Sequence, residues 1–256
     1  MDLVLLSKLA GVKRIAISTN GSAPFEVYGE LLDAGVNDLS ISLDACCSAD
    51  GEIMTGRAGE WEEVIENILD LAPFVYLTVG VVLSGQNMAR AGEIIQFAAD
   101  LGASDIRVIP AAQNGAHLGE IAVDPSLLER FPILRYRIEN MRARRPVRGL
   151  RETDSQRCGL SVDDMAVCGN QHFPCIIYMR EGGAAIGAVG PEMRQERAHW
   201  SGEHDTHADP ICRKNCLDVC VQYNNTFAAL NPKAVVSPDY PLPASAKTRI
   251  VAPDAP

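Results

Sequence analysis

Residues 14–44 read RIAISTNGSAPFEVYGELLDAGVNDLSISLD, and their rhythm decides the fold. Arg14-Ile-Ala-Ile-Ser18 is a short apolar run, and Thr19-Asn20-Gly21 behind it is turn chemistry. From Pro24 to Ala34 the apolar residues Phe25, Tyr28, Leu31 and Leu32 recur at helical spacing, and Gly35 closes the segment. Asp38-Leu-Ser-Ile-Ser-Leu43 is a second strand, ending at Asp44. Strand, turn, helix, strand at this spacing predicts a right-handed parallel crossover.

The same rhythm continues downstream. Trp61–Leu71 places Trp61, Val64, Ile65, Ile68 and Leu69 on one helical face, and Phe74–Leu83 is a valine-rich buried strand. Met88–Leu101 reads as a helix closed by Gly102, Asp105–Ile109 as a fourth strand stopped by Pro110, and Pro125 to about Arg144 as one longer helix. The prediction is an α/β fold, a barrel or an open parallel sheet, whose ligands bind at the C-terminal ends of the strands. Those ends carry Ser18-Thr19-Asn20-Gly21, Ser42-Leu43-Asp44, Ser84-Gly85-Gln86-Asn87 and Pro110-Ala-Ala-Gln113-Asn114, more polar groups than turns alone require.

Composition narrows the function. The net charge is -10, which argues against a general nucleic-acid binder despite the five arginines in Met141–Arg151, read as a solvated helix end and loop. No apolar stretch approaches the length of a membrane span, and MDLVLLSKLAGVKR is not a secretory leader, so the expected compartment is the cytoplasm. There the eight cysteines stay reduced, and metal ligation is favoured over disulfides. Three regions result: residues 1–145, residues 146–230 with six of the eight cysteines, and a proline-rich, extended or disordered tail over 231–256.

Cys212-Arg-Lys-Asn-Cys216-Leu-Asp-Val-Cys220 is the tightest cysteine group. On one helix, positions four apart share a face, so the three thiols would converge, and Arg213 and Lys214 would favour thiolate. Cys158, Cys168 or Cys175 supplies a fourth ligand for an iron–sulfur cluster or a structural zinc, with free thiols as the bland alternative. His199, His204 and His207, beside Asp205 and Asp209, read either as a metal site or as a polar loop, and His172 as a hydrogen-bonded turn residue.

The strand ends, taken in order, resemble the radical S-adenosylmethionine (SAM) family. Ile15-Ala-Ile-Ser-Thr-Asn-Gly21 is similar to that family's third strand, Leu39-Ser-Ile-Ser-Leu-Asp-Ala45 to its fourth, Thr78-Val-Gly-Val-Val-Leu83 with Asn87 to its fifth, and Ile106-Arg-Val-Ile-Pro110 to its sixth. The resemblance covers about residues 1–125. It implies a partial (βα)6 TIM-like barrel lacking its first two βα units, followed by a small cysteine-rich α+β extension of the SPASM/twitch kind. Such enzymes bind SAM on a [4Fe–4S] cluster and generate a 5′-deoxyadenosyl radical that abstracts hydrogen. The family's C-x3-C-x2-C motif and Gly-Gly-Glu-Pro turn are not in this sequence, so the chain is expected to be a fragment, with a missing N-terminal half as a partner.

By the same resemblance Thr19 and Asn20 lie near the SAM pocket, Ser42 and Asp44 at the end that touches the ribose or methionine part, and Ile109 where the adenine sits. Arg107 becomes a charge partner if it faces a barrel interior. Cys158, Cys168, Cys175, Cys212, Cys216 and Cys220 are the candidate ligands of an auxiliary [4Fe–4S] cluster, with zinc as the alternative. Pro174–Arg180 and Ala184–Val189 resemble the extension's hairpin. The expected function is a radical SAM-type enzyme, with a peptide or protein as its substrate by family analogy. A non-catalytic iron–sulfur or zinc module is the alternative, and a TIM-barrel metabolic enzyme is disfavoured because no phosphate-binding glycine loop appears.

Overall fold

The computed structural model describes residues 1–111 and 121–230. They fall into two compact units that divide between Arg145 and Pro146. Gln113, Asn114 and the proline-rich tail lie outside the described residues.

The first unit runs α1 (Asp2–Leu9), β1 (Ala16–Thr19), α2 (Phe25–Ala34), β2 (Asp38–Ser42), α3 (Ser48–Thr55), α4 (Glu60–Leu71), β3 (Tyr76–Leu83), α5 (Ala91–Asp100), β4 (Asp105–Pro110), α6 (Pro125–Arg130) and α7 (Pro132–Arg142). Its sheet is parallel throughout, in the order β1-β2-β3-β4. Sequential parallel order with right-handed crossovers moves the chain steadily one way and lays its helices on one face. This α/β architecture is that of a TIM-like or Rossmann-like winding.

The register sorts the side chains into two unlike faces. Leu39, Ile41, Leu77, Val79, Val81, Leu83, Ile106 and Val108 pair across the strands and are buried with Val64, Ile68 and Leu71 of α4 and Ile94, Ile95 and Ala98 of α5. The alternate positions include Ser18, Ser40, Ser42, Thr78, Gly80 and Arg107, a largely polar row across all four strands that ends at Val82 and Ile109. A strand shows alternate residues to opposite faces, so the Ser-Ile-Ser of β2 and the Ile-Arg-Val of β4 build both at once.

One sequence reading changes here. The expected single helix over 125–144 is two helices. Pro132 holds Phe131 extended (φ -114, ψ 97), which ends α6 and starts α7. The segment after Asp44 forms α3, whose Gly51 lies so close to Trp61 that a Cβ would come within 2.2 Å of the indole. The Asn20-Gly21 turn needs its glycine twice over, for φ +84 and because a Cβ would sit 2.6 Å from Ile41 Cγ2.

The second unit holds α8 (Leu160–Asp163), β5 (Ala166–Cys168), β6 (Gln171–Phe173), α9 (Ile176–Arg180), β7 (Gly187–Ala188), α10 (Met193–Glu203), α11 (Pro210–Asn215) and α12 (Asp218–Leu230). β5, β6 and β7 form a small antiparallel sheet. The expected strand at Pro174–Arg180 is instead the short helix α9, because the Cys175 sulfur accepts the Tyr178 N–H and caps it. No helix among the described residues is long and apolar enough to cross a membrane.

Candidate metal centre and strand-end site

In the first unit the strand-end residues divide by role. Ser42 and Ile109 sit on the polar face, with Arg107 beside Ser42 in register across Gly80. An Arg107 guanidinium N–H donates to Ser40 Oγ at 3.1 Å. Burial depresses the Arg107 pKa, and the charge of Arg137 adds to it. A cation held there attracts an anionic group.

Thr19, Asn20 and Asp44 also make hydrogen bonds within the scaffold. Thr19 Oγ1 lies 3.3 Å from the Tyr28 hydroxyl and accepts from Gly21 N. Asn20 Nδ2 donates to Glu60 and its Oδ1 accepts from Ser22 N. Asp44 Oδ1 accepts the Val82 N–H at 2.6 Å, and burial raises its carboxyl above the ordinary range. Buried Asn87 ties this end together, donating to the carbonyls of Asp44 and Val82 and accepting from Ser84 N.

The second unit is built around a cavity that is partly open to solvent. Cys158, Cys175, Cys212, Cys216 and Cys220 all line it, among Leu150, Ile177, Trp200, Ile211, Leu217 and Val221. Each thiol is placed by a separate device. Asn224 of α12 donates to Cys158 Sγ and accepts from Leu160 N. Ser161 and Ser201 hydroxyls both donate to the Cys158 carbonyl at 2.7 Å. Arg197 of α10 donates to the carbonyls of Ser161 and Asp164, which fixes α8 behind that cysteine. Cys175 caps α9.

Cys212, Cys216 and Cys220 do not share one helix. α11 ends at Asn215, Cys216 is extended (φ -55, ψ 130), and α12 starts at Asp218. The break is held by Val147–Leu150: Asp218 N donates to Val147 O, Gly149 N to Cys216 O, and Leu150 N to Arg213 O. Gly149 has φ +98, a backbone conformation that side chains disfavour, and it lies against the carbonyls of Arg213 and Lys214.

Burial raises the pKa of all five thiols, Cys220 to about 12 and Cys212 and Cys216 further. Asp209 and the neighbouring cysteines add to the rise at Cys212, and the other thiols add to it at Cys216. The expected thiolate-favouring influence of Arg213 and Lys214 is therefore overridden, since both side chains are exposed. A cation among the sulfurs reverses this balance, because metal binding takes the thiolate form. The donor set thus fits a thiolate-bound metal group.

Cys168 is not brought to the cavity. It is exposed at the end of β5, paired with Gln171 across a hairpin turn. The three histidines of HWSGEHDTH also separate. His199 pairs with Glu203 on the exposed side of α10, and His207 bonds the Asp154 carbonyl. Only His204 turns inward, its Nε2 3.3 Å from Asp209 Oδ2 and 3.8 Å from Cys212 Sγ. His172 is fully buried, its Nε2 2.8 Å from Glu196. Residues that sequence reasoning passed over are Ser40, Ser161, Arg197, Ser201 and Asn224, whose roles come from contacts distant in sequence.

A parallel α/β unit with one polar sheet face, joined in sequence to a thiol-lined unit, is the class of protein these observations define. No family model matches the chain. Over 117 residues it is 33% identical to GTP 3′,8-cyclase of Pseudomonas fluorescens, covering 44% of this chain and 35% of that protein. Over 110 residues it is 29% identical to the probable GTP 3′,8-cyclase of Metallosphaera sedula, covering 42% and 34%. Both relatives carry the name GTP 3′,8-cyclase, which is a radical SAM family. The chain spans about a third of the length of the curated relatives it matches.

Proposed function

We propose that this chain is part of a radical SAM enzyme. In this reading residues 1–145 supply strand–helix units of a partial barrel that faces SAM and substrate. Residues 146–230 hold an auxiliary [4Fe–4S] cluster. The observation that carries it is the convergence of Cys158, Cys175, Cys212, Cys216 and Cys220 on one cavity. All eight cysteines are free thiols, available for ligation. A cluster there supplies redox and Lewis-acid chemistry, and the cofactors carry the reaction.

Size favours iron–sulfur over a single zinc for the thiols. Tetrahedral zinc with Zn–S bonds of about 2.3 Å gathers its sulfurs to about 3.8 Å from one another. Among the described residues the one group of three ligand atoms closed to 4.8 Å is His204, Asp209 and Cys212, so no three thiols are gathered that closely. A four-iron cube holds its thiolates on separate corners and does not need them so close.

On the sheet, Ser40, Ser42 and Arg107 form the polar face. Arg107 supplies the charge for an anionic part of a ligand, and Ser42 a hydroxyl at the strand end. Thr19, Asn20 and Asp44 act behind them by fixing the turns. The edge strand β1 and the exposed leucines of α1 (Leu3, Leu6 and Leu9, at 77, 62 and 83%) are the surface that further strand–helix units would cover.

Family analogy suggests a peptide or protein substrate. A second reading takes a purine nucleoside triphosphate instead, because both relatives carry GTP in their names. Anaerobic reconstitution with iron and sulfide tests the core proposal. Uptake of about four irons per chain, with thiolate-to-iron charge-transfer absorption, is expected. Zinc binding by the thiols with no iron uptake overturns it. Equilibrium binding of GTP, and of peptides, then separates the substrate classes.

A further inference from the structure

We propose that His204, Asp209 and Cys212 form a second metal site in the 146–230 unit, a mixed nitrogen, oxygen and sulfur set for one zinc-class divalent cation. It rests on the cluster reading only in assigning Cys158, Cys175, Cys216 and Cys220 to the cluster. Five thiols line the cavity and a cube needs four, so one is left over. Cys212 is the one whose sulfur lies with non-thiol ligand atoms within 4.8 Å.

The distances are those of a tetrahedral ion. Zn–N and Zn–O bonds near 2.0–2.1 Å and Zn–S near 2.3 Å separate nitrogen from oxygen by about 3.3 Å, and nitrogen from sulfur by about 3.6 Å. The His204 Nε2 to Asp209 Oδ2 distance is 3.3 Å, and His204 Nε2 to Cys212 Sγ is 3.8 Å. Cation binding therefore needs only small side-chain adjustments. The donor types suit zinc, which accepts thiolate, imidazole and carboxylate, and three protein ligands leave a fourth position for water.

The ligands are also held by other groups, as metal ligands are. The His204 ring stacks on Trp200, centroids 4.0 Å apart and 17° from parallel, with Tyr178 edge-on at 6.0 Å. That clamp sets the direction of Nε2. Asp209 uses Oδ1 to cap α11, accepting from Ile211 N and Cys212 N at 2.8 and 2.9 Å. Its Oδ2 accepts the Tyr178 hydroxyl at 3.0 Å. Capping places Asp209 and Cys212 one turn apart on the same side, both facing His204.

The test uses the full chain, reconstituted anaerobically and then titrated with zinc or, for its absorption bands, cobalt(II). About one zinc per chain is expected beyond the iron. Asp209→Asn keeps the helix cap while removing the anionic ligand, and His204→Ala removes the nitrogen. Both should weaken zinc binding by more than about tenfold, with far-UV circular dichroism, iron content and cluster absorption unchanged. His199→Ala should leave zinc binding intact. Cys212→Ser should lose zinc and keep iron. Zinc binding indifferent to His204 and Asp209, no zinc uptake, or loss of iron in Cys212→Ser each overturns the proposal. Iron uptake alone decides the cluster reading, and cobalt spectra decide this one even in a chain that takes up no iron.

Discussion

Asn87→Ala should loosen the strand ends more than any surface change nearby. Asn87 is 5% exposed and makes three hydrogen bonds: Ser84 N to its Oδ1 at 2.8 Å, and its Nδ2 to the Asp44 and Val82 carbonyls at 2.9 Å each. At about 1 kcal/mol net per bond, less some rescue by water at the half-buried partners, the loss is about 2–3 kcal/mol. A urea slope of roughly 1–3 kcal/mol per M turns that into a midpoint lower by about 1 M. The assay is tryptophan fluorescence in a Trp200→Phe background, where Trp61, stacked on Phe97 at 5.8 Å, reports the first unit alone. Asn87→Asp is the sharper variant. It keeps the acceptor for Ser84 N but turns a carboxylate oxygen toward two carbonyls, so it should cost at least as much as alanine. A loss below about 0.5 kcal/mol in Asn87→Ala, or an Asn87→Asp variant as stable as the parent, refutes the reasoning.

Further outcomes follow from the same contacts. Burial raises the folded Asp44 carboxyl above its unfolded value, so its contribution to stability is full where it is protonated and falls as pH rises through the folded value. Asp44→Asn keeps an acceptor for Val82 N and should flatten the urea midpoint against pH from about pH 4 upward; an unchanged slope counts against it. Cys168→Ser should reconstitute with full iron and Cys216→Ser with reduced iron, read by iron and sulfide analysis; equal losses contradict the ligand assignment. The sequence contains no C-x3-C-x2-C, so this chain reconstituted alone should release no 5′-deoxyadenosine from SAM under dithionite, as judged by chromatography; release would show that a catalytic cluster forms within these residues.

Much of the first unit could be read from period alone. Each strand alternates, as in Asp38-Leu-Ser-Ile-Ser42, and the register sets Ser40 beside Thr78 and Ile41 beside Val79 so that both faces stay consistent. The helices α2 and α4 follow from 3.6-residue spacing. The misreadings occurred where a short-range contact outweighed the pattern. Pro132 splits 125–142 because its ring restricts Phe131, although the apolar spacing runs through both helices. Ile176-Ile177-Tyr178 has the composition of a strand, yet the Cys175 sulfur and the Tyr178 N–H turn it into a helix.

The thiol site was legible in its membership and not in its architecture. Spacing of four suggested one helix for Cys212, Cys216 and Cys220, but the extended Cys216 puts them on two helices, held apart by hydrogen bonds from Val147–Leu150. No local signal joins Cys158 and Cys175 to them, because the fasteners are Asn224 and Ser201, 66 and 43 residues from Cys158. The same reasoning separates Cys168 from its neighbours. It shares the side of the strand that buries Ala166, but it ends the three-residue strand at the hairpin turn, beyond the cover that Ala166 has, and is exposed. His204 differs from His199 and His207 for an equally local reason. α10 ends at Glu203, and His204 (φ -76, ψ 119) leaves the helix just where Trp200 can stack on it. Trp200 lies four positions before it, on the helix side that position 204 shares, so the stack holds His204 toward Asp209.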